Sequence, residues 1–488
     1  MSTATIIFIG VGIYIMLMLA VGVWASRRTH SVTEFVVAGR SLPLWLCTTT
    51  IIATWFGGGS MMGTSGAAYQ HGLLGIIADP LGAVLVLFLI GFFFARLFRR
   101  LRILTVADFM AQRYGQVAAM AITLVTLFAN IMWVGGMLVA FGLIFETLTG
   151  TPFVVGVVGG ALVIVIYTAV GGMWAVALTD FLQLIVIVIG LVVLLTVVLI
   201  DVGGWGAVAS RLPEGTFRLI PSEHTAEQWL NYMRAWLIIG LVDISSQTLT
   251  QRALAAKNER VAQNSFYLGA VGYLVFGMIP VILGLIASVT MPGLDQPEAL
   301  VPTLAIEHLH PVAVAIFVGA LLAAIMSTAD SALLASSSVL TQNVLPLVKR
   351  NPSTRLGLIV ARSAIFVCAA MAILIAFRFQ VVFDLILDSN ILGMAAIIVP
   401  FIVGVWWTKA NRTGALSSMA AGLSAWLITS LVAPDWPADF IGLGASLITI
   451  LVVTPLTQTF DPPRPLVDSE GNPVAMKDRL GTLGLWGS

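Results

Sequence analysis

The sequence predicts an all-α integral membrane protein with about thirteen transmembrane helices. Two observations carry that expectation. Of the 488 residues, 59% are hydrophobic and only 10% are charged, whereas a soluble domain carries about 25% charged residues. Apolar runs of the roughly 20 residues that a bilayer requires then recur along nearly the whole chain. The composition excludes a soluble globular domain, a disordered chain and a coiled coil. A net charge of +1 offers no field for nucleic acid.

Read between charges and turn signals, the runs fall at residues 5–26, 43–68, 75–98, 117–148, 152–170, 174–200, 228–252, 262–290, 311–346, 356–378, 381–407, 412–433 and 438–459. The first reads as a span and not as a cleaved leader. It has no basic segment before it, is too long, and ends in Arg27-Arg28. Runs 117–148 and 311–346 exceed the bilayer and are expected to tilt or protrude. Placing the N-terminus outside puts most of the 24 Lys and Arg in inside segments, Arg99, Arg113, Arg252 and Lys257 among them. The outside loops then hold acids such as Asp201, Glu214, Asp295 and Asp435, and the C-terminus lies inside. Residues 1–459 form one transmembrane domain, and 460–488 a Pro-rich cytoplasmic tail.

Much chemistry is missing. Cys47 and Cys368 lie in separate apolar runs and form no disulfide framework. Gly57-Gly58-Gly59 is followed by no Lys-Ser/Thr, so it is not a phosphate loop. No zinc-protease His pair or Ser/His/Asp set is visible. The expectation is no enzyme, no ATP-driven pump and no cofactor beyond a transported ion.

What the membrane interior holds is therefore informative, because an ionised side chain at mid-membrane costs about 2.5–3.5 kcal/mol. Asp79 and Asp384 (with Asp388 a turn further) stand toward span ends, where an interface would hydrate them. Asp180 and Asp243 lie inside or at the ends of other runs, and Asp330 is deep within run 311–346. On a helix Ser327, Asp330 and Ser331 share one face, with Thr328 adjacent and Ala324 one turn before. Hydroxyls, a carbonyl and a carboxylate form a hard-oxygen surface that suits a hard cation. The same hydroxyls could instead bond back to their own helix or join neighbouring helices.

Two spans are interrupted. Thr54-Trp55-Phe56-Gly57-Gly58-Gly59-Ser60 breaks the second, and Asp243-Ile244-Ser245-Ser246-Gln247-Thr248 breaks the seventh. Three consecutive Gly cost a helix roughly 3 kcal/mol against Ala, which close packing or an unwound segment could explain. Breaks at corresponding positions of two halves point to an inverted-repeat secondary transporter, with spans 2–6 and 7–11 as the repeats.

These segments resemble the sodium:solute symporter family over about residues 35–410. The likeness rests on Ile52 to Ser60 with Gly63, on Gly171-Gly172-Met173-Trp174-Ala175-Val176 followed by Thr179-Asp180 and Gln183, and on Ala323 to Ser331. It implies the leucine-transporter fold, alternating access and Na+ as the coupling ion. The family's sodium ligands match the carbonyls of Ala53, Phe56 and Ala324 and the hydroxyls of Ser327 and Thr328. A second cation site in some members matches Asp180, Ser327, Asp330 and Ser331. Asp330 departs from that pattern, because a hydroxyl residue stands there in the member compared. Two carboxylates about 4 Å apart would repel by ~4 kcal/mol at an effective dielectric of 20, so a cation between them or a proton on one is expected.

The solute is expected between the two breaks and the fourth span, at Trp55, Gly58, Ser60, Met61, Trp133, Met137, Asp243, Ser246 and Gln247. The motifs look nearest to the choline-carrier branch. Trp55 and Trp133 match two aromatic positions of its ammonium cage, but the third falls at Ser246. Asp243 could pair with an ammonium, which favours an amine, an amino acid or another small zwitterion or cation. The expected function is sodium-coupled import across the plasma membrane. A proton-coupled carrier of the same fold and a non-transporting membrane sensor are the alternatives.

Overall fold

A computed structural model describes residues 3–27, 29–223, 225–379, 390–468 and 471–474. Arg28, the start of the eleventh predicted run with Asp384 and Asp388, and residues 475–488 of the tail lie outside the described residues. The described chain is helical throughout, with two isolated bridges and no named strand. Among the described residues, eight helices are long and apolar enough to cross a membrane. Four shorter apolar helices accompany them, including Leu44–Trp55 and Gly393–Trp406.

Most of the predicted runs meet one of these helices, but run 228–252 meets none and Gly59–Phe93 joins the end of run 43–68 to run 75–98, so the expected count of thirteen is not reached among the described residues. Gln116–Thr149 is one 34-residue helix. Runs 152–170 and 174–200 form Phe153–Asp201, which is broken at Gly172 (φ 59°, ψ −155°). That backbone conformation favours glycine. A Cβ there would also lie 2.8 Å from the Phe35 carbonyl oxygen.

Both interruptions are real breaks. The first half-helix, Leu44–Trp55, stops at Phe56 (φ −78°, ψ 68°), and the chain resumes as Gly59–Gly63 and Thr64–His71. The second, Ala226–Gly240, gives way to a tight turn over Val242–Ser245 and resumes as Gln247–Ala255. A backbone clip ties their far ends together. Leu42 N–H donates to the Ala255 carbonyl at 3.0 Å, and Lys257 N–H donates to the Leu42 carbonyl at 3.0 Å.

The centre of the molecule is helix Pro311–Val339, buried at nearly every position from Val314 onward. Its Ala, Gly and Ser content lets other backbones approach closely. It packs against Gln116–Thr149, Phe153–Asp201, Thr3–Ser26 and Thr354–Arg378. Helices Arg412–Val432 and Ala438–Thr457 pack chiefly on each other and on the 393–397 segment.

Two cations assigned above to inside loops are buried instead. Arg113 is 1% exposed and donates to the carbonyls of Gly404 (3.1 Å), Trp407 (2.8 Å) and Thr408 (2.9 Å). It satisfies the open carbonyls at the end of helix Ile398–Trp406. Arg252 is fully buried within Gln247–Ala255. Charge counting cannot separate such residues from loop cations, because both lie at the ends of apolar runs.

Candidate functional site

The first break changes which backbone groups are free. In a continuous helix Gly57 N–H would bond to Ala53 O. Here it bonds to Trp55 O at 2.8 Å. The Ala53 carbonyl is released from the helix and faces Pro311–Val339. The Ser327 hydroxyl lies 3.3 Å from it and the Thr328 hydroxyl 3.4 Å. Thr328 also bonds back to the Ala324 carbonyl at 3.1 Å. Gly57 is necessary to this approach, because a Cβ there would stand 2.2 Å from Thr328 Oγ1. Phe56 caps the half-helix and is fully buried, its ring edge-on to Tyr273.

Ser327 also donates to Asp180 Oδ1, and Thr50 donates to Asp180 Oδ2. The guanidinium of Arg252 lies 4.0 Å from Asp180 Oδ2. It donates to Ser331 Oγ, which in turn donates to Asp330 Oδ1 at 3.3 Å. Asp180, Arg252, Asp330, Ser327 and Ser331 are all fully buried. The expected cluster of two carboxylates and two hydroxyls is thus joined by a guanidinium from the second broken helix.

A cavity of ≈ 70 Å³ lies between the two breaks and helix Gln116–Thr149, lined by Trp55, Trp133, Asp243, Ser246, Gln247 and Thr328 among others. Asp243 accepts a hydrogen bond from Asn390 Nδ2 at 3.1 Å, and Ser246 pairs with Thr248 at 2.6 Å. Gln247 is committed elsewhere. Its Oε1 accepts from Val106 N–H at 2.8 Å, and its Nε2 donates to the Leu104 carbonyl at 3.4 Å. A smaller cavity of ≈ 20 Å³ holds Ser60, Asp79, Met137 and Tyr273. Trp55, Trp133 and Thr328 line both, so these three side chains form the wall between them. Gly58 and Met61 line neither. Gly58 packs against Ala140 and Ile325, and Met61 is fully buried.

Asp79 is not interfacial. It is 9% exposed and accepts from Tyr273 (2.6 Å), Ser60 (2.9 Å) and Thr64 (3.1 Å). Three hydroxyls, two from the first broken helix and one from helix Glu259–Thr290, supply the hydrogen bonds that a buried carboxylate needs. Sequence reading missed Tyr273, Thr50, Asn390 and Arg252 as partners. A Tyr in the middle of an apolar run was a signal for the first. For Thr50, Asn390 and Arg252 the partners are remote in sequence and no local pattern marks them.

The sodium:solute symporter family profile matches residues 35–422. The human high affinity choline transporter is 30% identical over 442 residues, covering 85% of this chain and 75% of the relative. The sodium/pantothenate symporter of Escherichia coli is 29% identical over 432 residues, covering 84% and 87%. Among solved structures, the substrate-bound, outward-open state of a Na+-coupled sialic acid symporter superposes with a TM-score of 0.82. It is 20% identical, with 94% of this chain and 98% of that one covered. A nucleobase-cation-symport-1 family transporter matches at 0.60 and 16% identity, with 92% and 98% covered. The broken helices, the released carbonyl and these likenesses converge on one conclusion: this chain belongs to the sodium:solute symporter family, whose members are membrane transporters coupled to Na+.

Proposed function

We propose that this protein imports a small organic cation or zwitterion together with Na+ by alternating access. One observation carries the reading: the Ala53 carbonyl, released at the first break, stands opposite the hydroxyls of Ser327 and Thr328. Oxygens that share a calcium-sized cation at about 2.3–2.6 Å stand roughly 3.3–3.7 Å apart along an octahedral edge. Sodium has nearly the same radius. The contacts of 3.3 and 3.4 Å from Ala53 O to Ser327 Oγ and Thr328 Oγ1 fit that spacing, while Thr328 reaches the Ala324 carbonyl at the 3.1 Å of an ordinary hydrogen bond. Phe56, at the break itself, supplies a further carbonyl.

The solute occupies the cavity between the breaks. Asp243 provides the negative charge, and Trp55 and Trp133 provide aromatic faces for a cation. The relatives named above carry choline or pantothenate. Ser246 stands where the choline branch would place a third aromatic residue, so the ammonium cage is incomplete, and Asp243 favours an amine or an amino acid. The proposed topology has thirteen spans and two inverted five-helix repeats. The N-terminus is outside, the C-terminus is in the cytoplasm, and the membrane is the plasma membrane. The larger cavity includes Ile122, Val125 and Thr126, from the Arg113 end of helix Gln116–Thr149. That end is cytoplasmic in this topology.

Thermal unfolding in detergent tests the ion site. Sodium at ten times its dissociation constant should stabilise the protein by about 1.4 kcal/mol over potassium at equal ionic strength. The Ser327→Ala/Thr328→Ala double variant should lose that difference. Equal melting of the unaltered protein in both salts would defeat the reading. Sodium-driven uptake of labelled amines and amino acids into proteoliposomes tests the solute class.

A further inference from the structure

Resting on the reading of the solute as a small organic cation, we propose that this solute is a linear diamine: one ammonium lies at Asp243, the other at Asp79, and the carbon chain passes the rings of Trp55 and Trp133. Two cavities with one carboxylate each carry the inference. They lie end to end along helix Gln116–Thr149. The larger runs from Ile122 to Trp133, and the smaller from Trp133 to Met137, about one turn further. The second broken helix shows the same order, with Ile239 beside the smaller cavity and Val242 to Thr248 beside the larger. Asp243 lines the larger cavity and Asp79 the smaller, with Trp55, Trp133 and Thr328 between them.

Asp79 and Asp243 are each 9% exposed, and the partners of both are neutral. Asp79 accepts from the hydroxyls of Ser60, Thr64 and Tyr273, and Asp243 accepts from the Asn390 amide. These donors satisfy hydrogen bonds and leave both charges in place. The cations on the second broken helix are engaged elsewhere. Arg234 pairs with Asp439 at 2.6 Å, and Arg252 lies 4.0 Å from Asp180. A buried charge without a counter-charge is costly. A monoamine would neutralise one carboxylate and leave the other, whereas a diamine brings a positive charge to each end. The middle of the path suits hydrocarbon, because the two indole rings are apolar and their faces also attract ammonium groups. At the Asp79 end, Ser60 Oγ and Tyr273 Oη stand 2.9 and 2.6 Å from the carboxylate, so both are placed to accept from an ammonium, which has three hydrogens to donate. Thr328, in the wall between the cavities, also lies 3.4 Å from the Ala53 carbonyl. The carbon chain would thus pass beside the proposed sodium position.

The test is calorimetric titration of the full-length protein in detergent and sodium with the terminal diamines of propane, butane, pentane and hexane, beside the monoamine of each length. At the length that spans the two carboxylates, the diamine is expected to bind roughly tenfold or more tighter than its monoamine, the worth of one charged hydrogen bond. Asp79→Asn should remove that advantage, bringing diamine and monoamine to equal affinity, and Asp243→Asn should weaken both. A sodium-dependent melting shift in each variant shows that it is folded. The length series on the unaltered protein decides the matter even if neither variant folds. Diamines no tighter than monoamines at any length, or an undiminished advantage in Asp79→Asn, would overturn the diamine proposal and leave the amine reading standing. Binding of neither kind of amine, with the sodium-dependent melting shift present, would overturn both and leave sodium coupling.

Discussion

The two broken helices achieve the same interruption by different chemistry. The first breaks at glycine, and its contribution is backbone: a carbonyl at Ala53 that no longer belongs to a helix. The second breaks at Asp243 to Ser246, and its contribution is side chains, with Asp243, Ser246 and Gln247 around a cavity and Arg252 beyond it. Under the proposed function, the difference follows from what each would hold. A small hard ion needs oxygens at close range, which a bare backbone can bring without bulk. An organic solute needs directional and charged contacts, which only side chains supply. Glycine at the first break and polar residues at the second are therefore not interchangeable.

The contrast can be broken most sharply at Gly57. In Gly57→Val the new Cβ would collide with Thr328 Oγ1 at 2.2 Å. Sodium-dependent stabilisation and uptake should both vanish, with an overpacking cost of about 1–3 kcal/mol or more. Melting curves in sodium and potassium, with an uptake assay, read this directly. Asp243→Asn acts on the other break. It should lower kcat/KM for a cationic solute roughly 10–100-fold, the worth of a charged hydrogen bond, while the sodium-dependent melting shift stays unchanged. A lost sodium shift in that variant would mean that the two breaks do not divide the work.

Gln247→Ala should behave as a structural lesion. Its amide holds the backbone at Leu104 and Val106, so about 1–2 kcal/mol of stability should be lost, with a smaller effect on solute kinetics than Asp243→Asn. Chemical denaturation and uptake separate the two outcomes. The smallest effect belongs to Gly58→Ala. There the new Cβ meets Ala140 Cβ at 3.0 Å and Ile325 at 3.4 Å, contacts that small shifts relieve. The expected change is below about 1 kcal/mol. A loss comparable to that of Gly57→Val would show that the whole glycine run, and not the one close approach, sets the ion site.

How much of this was legible in the sequence can be seen residue by residue. Ser327, Thr328 and Ala324 were visible because helical spacing puts them together, and the structure keeps them together. The breaks at Phe56 and at Asp243 were visible because glycine runs and polar insertions oppose helix within an apolar span. Met61 and Gly58 sit in the first break as expected, yet they turn toward packing interfaces and not into the two cavities. Spacing along one helix does not say which neighbour that helix meets.

The sequence by itself determined the helical membrane class and the places where helices fail. These are local consequences of apolar length, helix propensity and charge. Only the tertiary structure decided that Asp79 meets Tyr273 from a helix far along the chain, that Thr50 and Ser327 both reach Asp180, and that Arg252 leaves the solvent to lie between two carboxylates. Each of those pairings joins segments remote in sequence. A buried charge is tolerable only beside its partner, and which partner it finds depends on how whole helices pack.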